Sequence, residues 1–328
     1  MPNNNRYEIS EALQMLLPLT KEEAMQETLT QEESAARRFP ILPSNANVTV
    51  IPIIPGITLF GYIRFLNASP VETRVDIYAN GRMVAADLRY QHFTEYMKLD
   101  PYFRKFNHNK MTFSMSYAYS ERYVLVLSHD EVVHLKCSML NKMPGLEFDK
   151  FANLKVGYAF MMGHVGKKLL FMGQDFAQLQ EWSEARELDW FLLAESWHRQ
   201  LQEFTKDLLH LYKKNKAMYE LDCSPEGFEW VNADDAERSI YSFIRHARDG
   251  KRNLLFVCNF TPVARPEYRV GVPKRKQYKL ILNSDEKKYG GEGKERPVIY
   301  KSVKKECDGR EFSFVYDLPP YGVAVFEF

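Results

Sequence analysis

The run Tyr123-Val124-Leu125-Val126-Leu127 stops abruptly at Ser128-His129-Asp130-Glu131, and this junction constrains the fold more than any other stretch. Five consecutive apolar residues leave no polar face, so the strand must be covered on both sides, as parallel strands under helices are. Ionisable residues at the C-terminal end of such a strand stand where α/β folds place their ligand sites. A helical pattern follows, with Phe148, Phe151, Leu154, Tyr158 and Met161 on one face. Next comes a second buried strand, Lys168 to Met172, closed by Gly173. A longer helix carries Trp197, Leu201, Phe204, Leu208 and Leu211 on one face and charges on the other. Strand–helix–strand–helix order implies parallel pairing with right-handed crossovers. Two such units are a quarter of a TIM-type (β/α)8 barrel.

The chain changes character on either side. After about residue 225 short strands alternate with turns, at 228–231, 239–245, 253–259, 277–283, 298–302, 312–316 and 323–328, which predicts an antiparallel β-sandwich over 226–328. The charged, glycine-rich tract Asp285 to Arg296 reads as an exposed loop. Upstream, residues 46–93 read as a small β-module with strands at Gly61–Leu66 and Arg74–Tyr78. Asn80-Gly81 turns the second into a return strand at Arg82–Ala85, because both residues tolerate positive φ. Residues 1–45 are polar and read as a tail or linker, with one short amphipathic helix at Glu8–Leu17. The barrel-like portion is assigned to 95–225, giving a mixed α/β and all-β chain.

Charge and cysteines narrow the function classes. A net charge of +1 gives no basic field for nucleic acid or an anionic membrane. The apolar stretch Val48 to Phe65 is interrupted by Pro52, Pro55, Gly56 and Gly61, so it reads as strands and turns and not as a membrane span. Cys137, Cys223, Cys258 and Cys307 lack metal or redox spacing and read as free thiols of a cytoplasmic protein. The acidic cluster Asp234, Asp235 and Glu237 has no partner at metal spacing and reads as a turn. No metal and no cofactor are expected.

An ordered series of motifs gives the junction its meaning. It comprises Ser128-His129-Asp130-Glu131-Val132-Val133-His134, Asn141 to Gly145, Lys167 to Gln174, Glu181-Trp182, Leu188 to Trp190 and Glu226 to Trp230. In this order the series, spanning about 95–328, resembles the C-terminal part of a 1,4-α-glucan (glycogen) branching enzyme of the α-amylase superfamily. The segments Phe65–Pro70 and Val75–Gly81 resemble a small bacterial β-domain of unknown function. The resemblance implies that Asp130 is the carboxylate stabilising the transition state and that His129 binds sugar hydroxyls. Glu131 either orients the loop or binds sugar. Gln174, Asp175, Glu181 and Trp182 lie after the second strand, on the rim where substrate passes, and Trp182 either stacks a glucose ring or packs in the core. His134 reads as a packed or hydrogen-bonded loop histidine, and Trp197 as core.

Two departures from the family matter. The family carries glycine after the loop histidine where this chain has Leu135, which would be strained at positive φ. The nucleophile and acid motifs are also missing. Arg74-Val75-Asp76 has the Arg-x-Asp spacing but belongs to the β-module. Retaining cleavage of an α-glucan needs both a nucleophilic carboxylate and a carboxylic acid, so the isolated chain is expected to be inactive, as a split, truncated or composite gene product would be. Its expected partners are α-1,4-glucan and a complementing barrel fragment. Six absent βα units would also leave edges and apolar faces over 120–215 open to aggregation. The alternatives are a non-catalytic α-glucan-binding or scaffold protein, or a fragment of an α-glucan hydrolase.

Overall fold

The computed structural model describes residues 76–79, 82–86, 91–119 and 124–328, all within one compact unit running from Asn67 to Phe328. The predicted tail at 1–45, its helix, and the strand at 61–66 lie outside the described residues. Strands β1 (Asp76–Ala79) and β2 (Arg82–Ala86) form the hairpin read around Asn80-Gly81, with Ala79 opposite Arg82 and Asp76 opposite Ala86.

Short helices follow: α1 (Gln91–Lys98), α2 (Pro101–Arg104) and α3 (Asn109–Thr112). Asp100 caps α2 by accepting the Tyr102 N–H at 2.9 Å, and Pro101 opens the helix, where a missing N–H is harmless. Arg104 is fully buried. It donates to the carbonyls of Met97, Leu99 and Phe260 and to Asn153 Oδ1, which ties α2 to the domains around it.

Strand β3 (Val124–Leu127) pairs in parallel with β4 (Lys167–Leu170), Val124 opposite Lys167 and Leu127 opposite Leu170. Between them lie α4 (Met139–Lys142) and α5 (Glu147–Gly163), and after β4 comes α6 (Ser196–Lys214). Leu125 and Leu127 are wholly buried. The expectation of a buried second strand over 168–172 fails: Leu169 in β4 remains 36% and Met172 beyond it 47% exposed. Among the described residues β4 is paired with β3 alone.

The single apolar face read for α5 is also corrected. Every residue from Phe151 to Gly163 is buried, because α5 packs against α6 and also against the C-terminal sheet. At its last turn a Cβ on Gly163 would lie 2.7 Å from the Phe243 ring, so the absence of a side chain sets the approach of helix to sheet.

The C-terminal domain is antiparallel throughout. Its strands are β5 (Phe228–Asp235), β6 (Ile240–Arg245), β7 (Leu254–Asn259), β8 (Arg265–Val272), β9 (Gln277–Asn283), β10 (Ile299–Lys301), β11 (Val303–Cys307), β12 (Arg310–Leu318) and β13 (Val323–Glu327). Six form a sheet in the order β10-β9-β13-β7-β6-β5, and three form a second in the order β11-β12-β8. The period of two divides each central strand between two cores. Ile240, Ile244, Leu255, Val257, Ala324 and Phe326 face the small sheet. Tyr241, Phe243, Leu254, Phe256, Val323 and Val325 join the core of the helical layer. The apolar faces expected to lie open over 120–215 are therefore partly covered by this sheet.

The tract 285–296 is anchored and not simply exposed. Arg296 and Asp285 form a buried ion pair at 2.8 Å, and Tyr289 is buried with its hydroxyl donating to Asp207 of α6 at 2.6 Å. The Tyr289 carbonyl accepts from Lys155 of α5 at 2.6 Å. Burial pulls the Lys155 ammonium down to about 8, and Lys142 likewise. An unfolded lysine titrates near ~10.4, so between these values the unfolded chain binds more protons and stability rises with pH. Above about pH 10 the buried Tyr158 and Tyr241, held protonated by burial, reverse the slope. Burial also keeps the Cys258 and Cys307 thiols protonated, which opposes the rise above about pH 8.5, so the lysine contribution is read as a difference between chains. The change in unfolding free energy from about pH 7.5 to about pH 9.5 should be less favourable in Lys155→Met than in the parent chain by on the order of 1 kcal/mol. An unchanged slope in Lys155→Met would contradict the assignment.

Candidate active site

The site begins where the β3–β4 ladder ends. The ladder runs one step past the strands, with the Phe171 N–H donating to the Leu127 carbonyl at 3.2 Å. Ser128 then leaves the sheet in extended conformation and caps a single 3-10 turn, His129–Glu131. Its Oγ accepts the Asp130 N–H at 3.2 Å and donates to Asp130 Oδ2 at 3.1 Å. This short local bonding suits a serine at an N-cap and fixes both backbone and carboxylate of Asp130.

His129 Nε2 lies 3.5 Å from Asp130 Oδ1, with the imidazole side chain 25% and the carboxylate 47% exposed. Two aromatic rings frame the imidazole, Phe171 at 5.7 Å and Trp182 at 6.0 Å between centroids, and these two rings meet edge to face at 5.2 Å. Trp182 is partly buried against the core, and its N–H donates to the Val132 carbonyl at 2.9 Å. The structure thus brings His129, Asp130 and Trp182 together. Glu131 completes the turn, its N–H donating to the Ser128 carbonyl at 3.2 Å.

Gln174 stands apart from that group, and its placement on the substrate rim is corrected. It is 4% exposed. Its side-chain amide donates to the Leu127 carbonyl at 3.2 Å, and its own carbonyl accepts from Tyr158. Burial seals it under the loop, so it braces the end of β3. Trp197 stacks on Phe151 at 6.0 Å and packs against the core. His134, read as a packed or hydrogen-bonded loop histidine, is exposed in left-handed backbone at φ 56°.

The loop beyond the turn was the least legible from sequence. His134, Leu135 and Cys137 all adopt positive φ, Leu135 at 64°. The anticipated strain at Leu135 is therefore present, while steric conflict of its side chain is not, since it is 95% exposed. A left-handed non-glycine residue costs about 1–3 kcal/mol, and glycine returns about 0.4–1 kcal/mol of that through unfolded-chain entropy. Leu135→Gly should then stabilise the chain by about 1 kcal/mol, read as a rise of a few degrees in thermal midpoint; a lower midpoint would mean the turn is not strained.

The other carboxylates near the site are engaged. Both oxygens of Glu181 accept backbone N–H groups, from Leu135 at 3.1 Å and Cys137 at 2.7 Å. Asp175 accepts from Gln202 at 3.3 Å. Among the described residues no cluster of three or more His, Cys, Asp or Glu is placed to hold a metal ion. Chemically, the corner offers a carboxylate and an imidazole side by side over an aromatic wall, a surface suited to sugar hydroxyls and ring faces.

Comparison with known proteins adds the family. Residues 230–328 match the family described as alpha amylase, C-terminal all-beta domain. Residues 61–121 match a domain of unknown function (DUF4397), a span that runs on through α1 to α3. A 1,4-alpha-glucan branching enzyme of Butyrivibrio fibrisolvens is 58% identical over 236 residues, which is 72% of this chain and 37% of that protein. Proteins of the same name from Aquifex aeolicus and Halothermothrix orenii are 49% and 46% identical, over 70% and 71% of this chain and 36% and 37% of theirs. The chain thus spans little more than a third of the length of these relatives. Among solved structures, an α-amylase from H. orenii overlays with a TM-score of 0.45 at 15% identity, covering 74% of this chain and 48% of that one. Over nearly three quarters of its length the chain is a homologue of the 1,4-α-glucan branching enzymes, and it carries an α-amylase-type C-terminal all-β domain.

Proposed function

We propose that β3, β4 and their helices are the last quarter of a (β/α)8 barrel, and that the chain supplies one corner of a 1,4-α-glucan branching site. In that reaction an α-1,4 chain is cleaved through a covalent glucosyl intermediate and transferred to a 6-hydroxyl. Asp130 stabilises the oxocarbenium-like state, His129 holds sugar hydroxyls, and Trp182 presents its ring beside them. Glu131 closes the loop, and Gln174 braces it from beneath. The nucleophile and the acid come from outside these 328 residues, so the isolated chain binds α-glucan without turning it over. A polypeptide carrying the remaining barrel strands is the complementing partner, and the cytoplasm is the compartment.

The observation that carries this reading is the placement of His129 and Asp130 at the C-terminal end of a parallel strand pair in a chain 58% identical to a branching enzyme over that region. Titrating maltoheptaose into the purified chain should shift the His129 Cε1–H resonance and quench tryptophan fluorescence. Trp182→Ala should weaken the response about fivefold, the equivalent of ~1 kcal/mol. Binding that leaves His129 unmoved would favour a glucan-binding role seated on the C-terminal domain.

A further inference from the structure

Residues 134–137 lie in a left-handed turn whose Lys136 N–H donates to the Val133 carbonyl at 3.2 Å, and side chains hold the rest. Three of its four residues are left-handed without being glycine, and such backbone persists only where its surroundings hold it. The holding groups come from two directions. Glu181, 44 and 46 residues away, receives the Cys137 and Leu135 N–H groups on its two oxygens. From the other side, the buried Lys142 ammonium donates to the carbonyls of Lys136 and Cys137. The Lys136–Cys137 peptide unit thus gives its donor to a carboxylate and its acceptor to an ammonium. The turn is coupled to the candidate site at two points. Lys136 Nζ donates to the Asp130 carbonyl at 2.8 Å. Trp182, adjacent to Glu181, bonds Val132 and packs against His129.

We propose that Glu181 is a positioning residue for the His129–Asp130 corner, acting by clamping the left-handed turn at Leu135 and Cys137. The proposal rests on the reading of His129 and Asp130 given above. Glu181 touches no sugar; it sets where the segment from Asp130 to Cys137 lies, and with it the approach of Trp182 to the imidazole. Charge-assisted hydrogen bonds are the stronger class, so losing two of them frees the turn. Glycine at 135 makes the same turn without strain and therefore needs the clamp less. Recovery in the Glu181→Ala background beyond the gain that Leu135→Gly gives on its own separates positioning from simple structural support, because independent effects on stability only add.

The experiment uses the full 328-residue chain and its Glu181→Ala, Leu135→Gly and double variants. Amide exchange at positions 135 and 137 should accelerate about tenfold or more in Glu181→Ala, and the maltoheptaose response of His129 should weaken about fivefold or more. The double variant should recover at least half of both losses on a logarithmic scale. Exchange unaffected by Glu181→Ala, or no recovery in the double variant, would overturn the clamp. If the wild-type chain shows no response to maltoheptaose, the glucan reading fails on its own, and amide exchange with its recovery still decides whether Glu181 holds the turn.

Discussion

Replacing Arg245 with methionine is expected to destabilise the chain by about 3–5 kcal/mol, the range for removing one partner of a buried ion pair. Arg245 lies on β6 and is fully buried. Its guanidinium meets Asp222 Oδ1 at 2.7 Å with the two side chains 0% and 2% exposed. It also donates to the carbonyls of Gly163 and His164 at the end of α5, of Gly227 before β5, and of Met218 in the segment after α6. One side chain thus satisfies the terminal carbonyls of a helix whose i+4 partners have run out, while joining the six-stranded sheet to the helical layer. Methionine fills much of the volume and supplies none of the donors. Four carbonyls and a carboxylate would remain buried, with Asp222 keeping only Lys167 and Tyr212. The thermal midpoint should fall by roughly 10 °C or more. Asp222→Asn in the Arg245→Met background should recover part of the loss by removing the stranded charge. Lys304→Met, which breaks an exposed pair with Glu311, should change the midpoint little. Equal effects of Arg245→Met and Lys304→Met would show that the sheet and the helical layer are not joined through this residue.

The elements were legible where their burial was simple. Strand β3 declared itself through its unbroken apolar run, of which Leu125 and Leu127 are wholly buried. The hairpin β1–β2 followed from Asn80-Gly81, and α6 from its clean stripe of Leu201, Phe204, Leu208 and Leu211. Strand β8 escaped because Pro266, Glu267 and Gly271 interrupt it, although Tyr268, Val270 and Val272 alternate toward the second core. Strand β11 escaped because Val303-Lys304-Lys305-Glu306-Cys307 is a charged edge strand, exposed along most of its length, and charge on an edge is a guard against further pairing. The tract 285–296 misled by composition, since its charges include a buried pair. Within the site, His129, Asp130 and Trp182 were legible through the ordered motifs. The holding roles of Glu181, read on the rim, and of Lys142 were not, because their partners are backbone N–H and C=O groups, which every residue has. Gln174 was misplaced for the same reason: its side chain completes the backbone bonding of Leu127.

The second large effect is catalytic. Asp130 is held by Ser128, His129 lies beside it, and yet a covalent glucosyl intermediate requires a nucleophilic carboxylate with an acid on the leaving oxygen. The nearby Glu181 and Asp175 are engaged in holding the turn and α6. Since catalysis of this kind supplies at least about 10⁶-fold acceleration, a site short of its nucleophile and acid should give no turnover distinguishable from buffer, however well it binds glucan. Incubation of the purified 328-residue chain with amylose, followed by counting α-1,6 linkages and reducing ends, decides the matter directly. Neither product should accumulate above background, and Asp130→Asn should leave that background unchanged. New α-1,6 linkages formed by the chain alone and abolished by Asp130→Asn would contradict it.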